Sequence, residues 1–267
     1  MTAAGVGIEV RGACCRFRHV SGNTIDALAG VDVTIDPGEF VCLVGRSGHG
    51  KSTLLRAIAG LTALTDGVVR VGGAPVRGPS VDRGMVFQED TVFPWMRVID
   101  NVAFGPRNKG LSGTRAEAIA RDWLERVNLA DFAASWPREL SGGMRKRVAI
   151  ATVFATEAPV LLMDEPFGAL DYVTRLSLYG LLTELWRGTG RTIVFVTHDI
   201  EEALILGDRI LVIKDGGIAD DLRVPLPRPR DEEMRASPEA VAITKTITRH
   251  LGLAELLANR GDGERTP

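Results

Sequence analysis

Three cysteines in 267 residues, two of them adjacent as Cys14 and Cys15, supply neither a disulfide framework nor the paired spacing of a zinc site. A reducing, cytosolic compartment is the expectation. Apolar runs near the roughly 18 to 20 residues that span a bilayer are also lacking, and residues 1–10 hold no basic region followed by an apolar stretch. The chain is therefore expected neither to cross a membrane nor to be exported, so any work at a membrane is done docked on a protein that spans one. Excess charge is missing too. A formal net charge of −2 leaves no global electrostatic pull toward nucleic acid, and no nucleic-acid partner is expected. Internal repeats and low-complexity tracts are absent as well.

What is present is globular. A hydrophobic fraction of 45% with 25% charged residues can bury a sizeable core without disulfides or metals. The length fits one large domain or a domain with a sub-lobe, because single cores stop growing near roughly 250 to 300 residues. Alternating apolar positions over residues 35–44, broken at Asp36-Pro37-Gly38, predict a hairpin running into a buried strand, Phe40 to Val44. Leu54, Leu55, Ile58 and Leu61 then repeat at helical spacing from Lys51. Further apolar runs at Gly84 to Phe87, Val160 to Met163, Ile193 to Val196 and Arg209 to Ile213 read as buried parallel strands, apolar on both faces. Between Gln88 and Ser141 no buried strand is evident, and Arg115 to Val127 reads as an amphipathic helix, which predicts a helical sub-lobe inserted in an α/β core. The proline-rich stretch Val224 to Arg230 should run extended over the surface where the core ends, with a final helix around Pro238 to Leu257.

Gly45-Arg46-Ser47-Gly48-His49-Gly50-Lys51-Ser52 matches the phosphate loop G-x-x-x-x-G-K-S/T and lies between a predicted strand and a predicted helix, as that chemistry requires. Glycines let the backbone curl so that successive N–H groups face phosphates, and the helix N-terminus adds partial positive charge. Lys51 can reach the β and γ phosphates, and Ser52, followed by Thr53, offers a hydroxyl to Mg²⁺. His49 gets no role beyond its backbone. Val160 to Met163 runs into Asp164 and Glu165, so two carboxylates emerge at the C-terminal edge of the sheet beside that loop. Neighbouring residues on a strand point to opposite sides, which assigns Asp164 to Mg²⁺ and Glu165 to the attacking water as general base.

GTPases and small-molecule kinases share these elements, but the nearest thing to a guanine-reading N-K-x-D, Asn108-Lys109-Gly110-Leu111, lacks the aspartate. Leu140-Ser141-Gly142-Gly143-Met144, continuing through Arg145-Lys146-Arg147, resembles the signature of the ABC ATPase family, usually L-S-G-G-Q. Ser141 can cap a helix whose dipole, with the amides of Gly142 and Gly143, faces anionic phosphate. The resemblance covers about Glu9 to Ile218 and implies an α/β fold, a P-loop NTPase (RecA-like) core with an antiparallel β subdomain and an inserted helical subdomain. It implies an ATPase domain over 1–220, with the helical subdomain about 89–157, and a C-terminal extension over 221–267. Gln88 resembles the Q-loop, ligating Mg²⁺; Ala169-Leu170-Asp171 the D-loop; His198 the switch histidine at the γ-phosphate; and Phe17 is the nearest candidate to stack on adenine. ATP and Mg²⁺ are the implied ligands. Each ATP would lie between the loop of one protomer and Ser141, Gly142 and Gly143 of another, in a head-to-tail homodimer.

Pro94-Trp95, within the stretch Gln88 to Asn101, lies where the family receives a membrane permease. With Met144, Phe167-Gly168-Ala169-Leu170-Asp171 and Pro227-Arg228-Pro229-Arg230, it resembles the importers of nitrate, sulfonate, taurine and bicarbonate. That branch implies a peripheral subunit on the cytoplasmic face of the membrane, two permease subunits and an extracytoplasmic solute-binding protein. The rival reading is a soluble ABC ATPase acting on nucleic acid or ribosomes, though neither a long coiled coil nor a second fused ATPase half is present.

Overall fold

A computed structural model describes residues 5–252 apart from 19–21, 23, 90, 91, 169 and 232. Two sheets carry the architecture. Ile8–Arg18 (β1), Thr24–Ile35 (β2), Asp66–Val71 (β4) and Ala74–Pro75 (β5) form an antiparallel sheet in the order β2-β1-β4-β5. Phe40–Val44 (β3), Arg83–Val86 (β6), Val160–Asp164 (β7), Thr192–Thr197 (β8), Arg209–Lys214 (β9) and Gly217–Arg223 (β10) form the second, in the order β10-β9-β3-β8-β7-β6. All its pairings are parallel except β9 with β10.

The second sheet explains why its strands are apolar at every position. Phe40, Cys42 and Val44 point into one core with the helices Val98–Asn108 (α2), Gly113–Arg126 (α3), Gly142–Ala155 (α4), Tyr172–Thr189 (α5) and Ile200–Leu206 (α6). Val41 and Leu43, on the opposite face, join a second core with the antiparallel sheet and helix Lys51–Ala59 (α1). A strand alternates sides at every residue, so a sheet covered on both faces needs an unbroken apolar run. Arg191, fully buried, stacks near the rings of Trp123 and Phe154 at 5.8 and 5.0 Å and donates to the Phe154 carbonyl at 2.9 Å, joining α3 and α4 to the sheet core. Burial pushes its guanidinium down to about 10.

Two expectations are corrected. The hairpin over residues 35–44 does not form: β2 pairs with β1 in one sheet and β3 with β8 and β9 in the other, so Asp36-Pro37-Gly38 is a crossing between sheets, closed by Glu39 N–H to Asp36 O at 3.2 Å. Residues 224–230 hold no strand or helix, yet the core does not end there. Val224 and Leu226 are buried, Arg228 bonds the Leu206 carbonyl and Asp208, and Arg230 bonds the Leu204 carbonyl, so the core continues into this stretch. The last helix, Pro238–His250 (α7), places Ala240, Ile243 and Ile247 in that same core; residues 253–257 of the expected helix lie outside the described residues.

Close packing reaches the loop after β3. A Cβ on Gly45 would lie 2.4 Å from the Ile213 carbonyl oxygen, a backbone atom with no room to move, whereas one on Gly48 (φ 82) would meet nothing within 4 Å. Left-handed backbone alone costs a side chain about 1 to 2 kcal/mol. Gly48→Ala is therefore expected to lower the thermal midpoint by roughly 2 to 8 °C and Gly45→Ala by clearly more, at about 2 to 4 °C per kcal/mol for a chain of this size. Equal midpoints for the two variants in a calorimetric scan would contradict this packing.

Candidate active site

Three adjacent parallel strands bring the site together. Val44 pairs with Thr197 and Asp164 with Val196, so β3, β8 and β7 end side by side, and the residues that follow them share one edge of the sheet. From β3 the chain enters Gly45 to Gly50, and Gly50, in the left-handed region at φ 101, delivers it into α1. That helix start has no side-chain cap and no acidic residue in its first turn, which leaves its positive end open to an anion. Arg46, Ser47 and Gly48 are exposed, while Lys51 is only 4% exposed and folds back so that its Nζ donates to the carbonyls of Gly45 at 2.7 Å and Arg46 at 3.1 Å. Burial pushes the Lys51 amine down, opposed by the carboxylates of Glu165 and Asp164.

Ser52 Oγ donates to Asp164 Oδ1 at 2.8 Å, and Thr53 follows it, half-buried. A serine hydroxyl beside a carboxylate is the small all-oxygen set that Mg²⁺ accepts when phosphate and water complete its octahedron. Among the described residues no group of three or more His, Cys, Asp and Glu is placed to hold a metal. Glu165 departs from simple strand alternation. It follows the last residue of β7 with φ 43, a left-handed backbone held by its N–H to the Val196 carbonyl at 3.0 Å. Such strain in a non-glycine residue costs about 1 to 3 kcal/mol and gathers at functional sites. Here it turns the Glu165 carboxylate toward His198, whose Nδ1 lies 3.0 Å from Oε2. A carboxylate can only accept, so this pairing puts the proton on Nδ1.

The remaining expected residues sit farther along the chain. Gln88 is exposed just after β6, its carbonyl taking a bond from Lys146 Nζ of α4 at 3.0 Å. Ser141 caps α4, accepting from the Met144 N–H at 3.3 Å; Gly142 follows it half-buried, and Gly143 packs so closely on α5 that a Cβ there would lie 2.6 Å from Thr174 Cγ2. Asp171 caps α5 through the Thr174 N–H at 3.0 Å, and the Thr174 hydroxyl at 2.6 Å, with that N–H, holds its carboxyl below its ordinary value; Ala169 lies outside the described residues. Phe17, on β1, is 47% exposed, and Trp95 is 69% exposed with its ring 5.5 Å from that of Phe93. The basic run packs against the protein itself: Arg145 bonds the Leu140 carbonyl and Arg147 the Val127 carbonyl and Ser177.

Several contacts at or near the site were not read from the sequence. Arg56, one turn along α1 from Ser52, places NH2 3.6 Å from Asp164 Oδ2. Buried Asn101 holds the segment under Trp95 by four bonds, taking the Phe93 N–H at 2.7 Å and donating to the carbonyls of Phe93, Met96 and Arg97. Glu202 lies buried behind the His198 segment, bonded to Thr197 and Tyr179. Only Arg56 left a usable signal, its helical spacing from Ser52; the others depend on contacts distant in sequence.

A phosphate loop between a parallel strand and a helix, facing paired carboxylates on a neighbouring strand, defines a P-loop nucleotide hydrolase. The chain belongs to the ABC transporter family, whose description matches residues 28–168. The taurine import ATP-binding protein of Jannaschia sp. is 44% identical over 82% of each chain, and the nitrate import ATP-binding protein of Synechocystis sp. is 47% identical over 79% of each. The aliphatic sulfonates import ATP-binding protein of Cupriavidus necator is 43% identical over 97% of this chain and 83% of its own. Among solved structures, the ATP-binding cassette MJ0796, in a dimeric post-hydrolysis state bound to ADP and Pi, superposes with a TM-score of 0.73 at 32% identity, covering 82% of this chain and all of that one. The chain is an ABC-type ATPase with the fold expected from its motifs.

Burial pushes the Glu202 carboxyl up from 4.5 to about 7, against the hydrogen bonds of Thr197 and Tyr179. A folded-state value above the unfolded one means that the folded chain keeps the proton longer, so the stability tied to neutral Glu202 is complete below pH 4.5 and is lost as pH rises through about 7. Glu202→Gln, which cannot ionise, should therefore gain in thermal midpoint over the parent at pH 8 relative to pH 5. An identical difference at both values would show that Glu202 does not titrate in this range.

Proposed function

We propose that the chain is the ATP-hydrolysing subunit of an importer for a small solute of the nitrate, sulfonate or taurine type. The observation that carries the catalytic reading is the juxtaposition at the ends of β7 and β8. Asp164 meets Ser52 at 2.8 Å while Glu165, one residue on, meets His198 at 3.0 Å. The loop N–H groups from Gly45 to Thr53 cradle the phosphates, and Lys51 neutralises charge on the β and γ groups. Bound Mg²⁺, held by Ser52, Asp164 and Gln88, would neutralise charge building on the phosphate oxygens. Glu165 accepts a proton from the water that attacks the γ-phosphorus, the bond to the β–γ bridging oxygen breaks, and ADP leaves with that oxygen. His198 holds the Glu165 carboxylate through Nδ1 and stands ready to contact the γ-phosphate. Phe17 stacks on adenine with a face left open by its exposure.

The assembly belongs to the same reading. Residues 1–220 act as the ATPase domain, 89–157 as its helical subdomain and 221–267 as a C-terminal extension. Ser141, Gly142 and Gly143 present the start of α4 to the ATP of a second copy in a head-to-tail homodimer, as suits a relative in structure that is itself dimeric. The exposed Trp95, on a segment held by Asn101, supports docking on an integral-membrane permease near residues 88–101, itself fed by an extracytoplasmic solute-binding protein. The proposed place is peripheral, on the cytoplasmic face of the membrane, as suits relatives named as import ATP-binding proteins; among the described residues no helix is long and apolar enough to cross a membrane. None of the three relatives is named for nucleic acid or ribosomes.

Removing the general base should cost about 10²- to 10⁴-fold in turnover. Glu165→Gln is expected to bind ATP with near-parental affinity and to lose hydrolysis by that factor; turnover at the parental rate under saturating ATP and Mg²⁺ would refute the assignment. For the assembly, tagged chain drawn from detergent-solubilised native membranes should bring down a polytopic permease, and Trp95→Ala should bring down much less. Recovery of soluble chains alone would leave the ATPase standing and overturn the importer.

A further inference from the structure

His49 reaches the turn between β9 and β10 with both its main chain and its side chain. The Asp215 N–H donates to the imidazole Nδ1 at 3.2 Å, and the next N–H, that of Gly216, donates to the His49 carbonyl at 3.2 Å. The turn has little freedom of its own. Lys214 pairs with Gly217, and the two residues between them have φ of 49 and 78, the left-handed pair of a two-residue hairpin. The Gly216 carbonyl in turn accepts the Ala29 N–H of β2 at 2.9 Å, and a Cβ on Gly216 would lie 3.2 Å from the Ala27 carbonyl. Gly50 touches the same strand: a Cβ there would lie 2.3 Å from that carbonyl. Loop, turn and β2 form one fitted unit.

Among the described residues, the imidazole is the side chain through which Gly45 to Gly50 bonds the β9–β10 turn, and most of it is shielded, its side chain being 23% exposed. A neutral ring accepts at Nδ1 only with its proton on Nε2, so the contact also selects the tautomer. The Asp215 carboxylate lies 3.8 Å from Nδ1, beyond hydrogen-bond range, and leaves the backbone N–H as the partner.

We propose that His49 is a positioning residue for the nucleotide: its Nδ1 pins the loop to the β9–β10 turn, ordering the loop N–H groups and Lys51 before phosphate arrives. This inference rests on the reading of the loop as a nucleotide site. Preordering removes a cost that binding would otherwise meet, so the effect falls on affinity more than on the chemical step.

The test is calorimetric titration of ADP with Mg²⁺ into the purified full-length chain, alongside steady-state ATPase kinetics. His49→Ala should weaken Kd by about three- to tenfold, the effect of one neutral hydrogen bond, and raise KM for ATP by more than it lowers kcat. Asn places its Oδ1 where Nδ1 stands, so His49→Asn should return Kd to within about twofold of the parent, whereas His49→Gln, whose polar atoms lie farther out, should behave as the alanine variant does. Parental affinity in His49→Ala, or rescue by Gln and not by Asn, would overturn the proposal, the latter by pointing to a direct contact through Nε2. If the alanine variant does not fold, the Asn and Gln variants decide. A parental chain that fails to bind Mg²⁺-ADP would overturn the nucleotide reading itself, whereas binding that ignores His49 overturns this inference alone.

Discussion

Everything at the site depends on the parallel pairing of β3, β8 and β7. Neighbouring strands in a sheet lie about 4.8 Å apart, and parallel strands all end on the same edge. The phosphate loop, His198 and the Asp164-Glu165 pair follow three adjacent strands, so Ser52 meets Asp164, 112 positions away, and Glu165 meets His198, 33 positions away, within hydrogen-bond distance. Antiparallel pairing would have sent one of these groups to the far edge. The arrangement costs a sheet with both faces buried, and the two apolar cores on either side of it meet that demand through Phe40, Cys42 and Val44 on one face and Val41 and Leu43 on the other.

Within this frame, strain and burial are concentrated where charge gathers. Glu165 takes a left-handed backbone that a free peptide would avoid, held by the Val196 carbonyl, and that turn carries its carboxylate to His198. Lys51 is buried while two carboxylates draw its charge back toward the site, so desolvation and attraction act against each other on one amine. A cation in that balance is a strong partner for phosphate, because its solvation has already been given up. Glu202 shows the opposite case: a buried carboxyl with hydroxyl partners, held near neutrality behind the His198 segment.

Much of this was legible in the sequence. The unbroken apolar runs at 40–44, 160–163 and 193–196 marked buried strands, since a strand covered on both faces cannot alternate. The phosphate loop and Ser141 were readable because glycine freedom and helix capping are local properties. Other features were not readable for equally physical reasons. Asp36-Pro37-Gly38 has the chemistry of a hairpin turn, but which sheet each flanking strand joins is decided by partners distant in sequence. Residues 224–230 looked like a surface segment because proline excludes regular structure; their anchoring by Arg228 and Arg230 exists only where the C-terminal end of α6 and Asp208 pass beside them.

The sequence by itself determined which residues could form strands, helices and a phosphate loop, and so the family, because these depend on side-chain type and on neighbours a few positions away. Tertiary structure alone decided which of them touch. The turn of Glu165 onto His198, the support of Trp95 by Asn101 and the seat of His49 on the β9–β10 turn all follow from strand order and sheet crossing. Those are settled by the burial of two cores at once, a property of the whole chain that no short stretch of it contains.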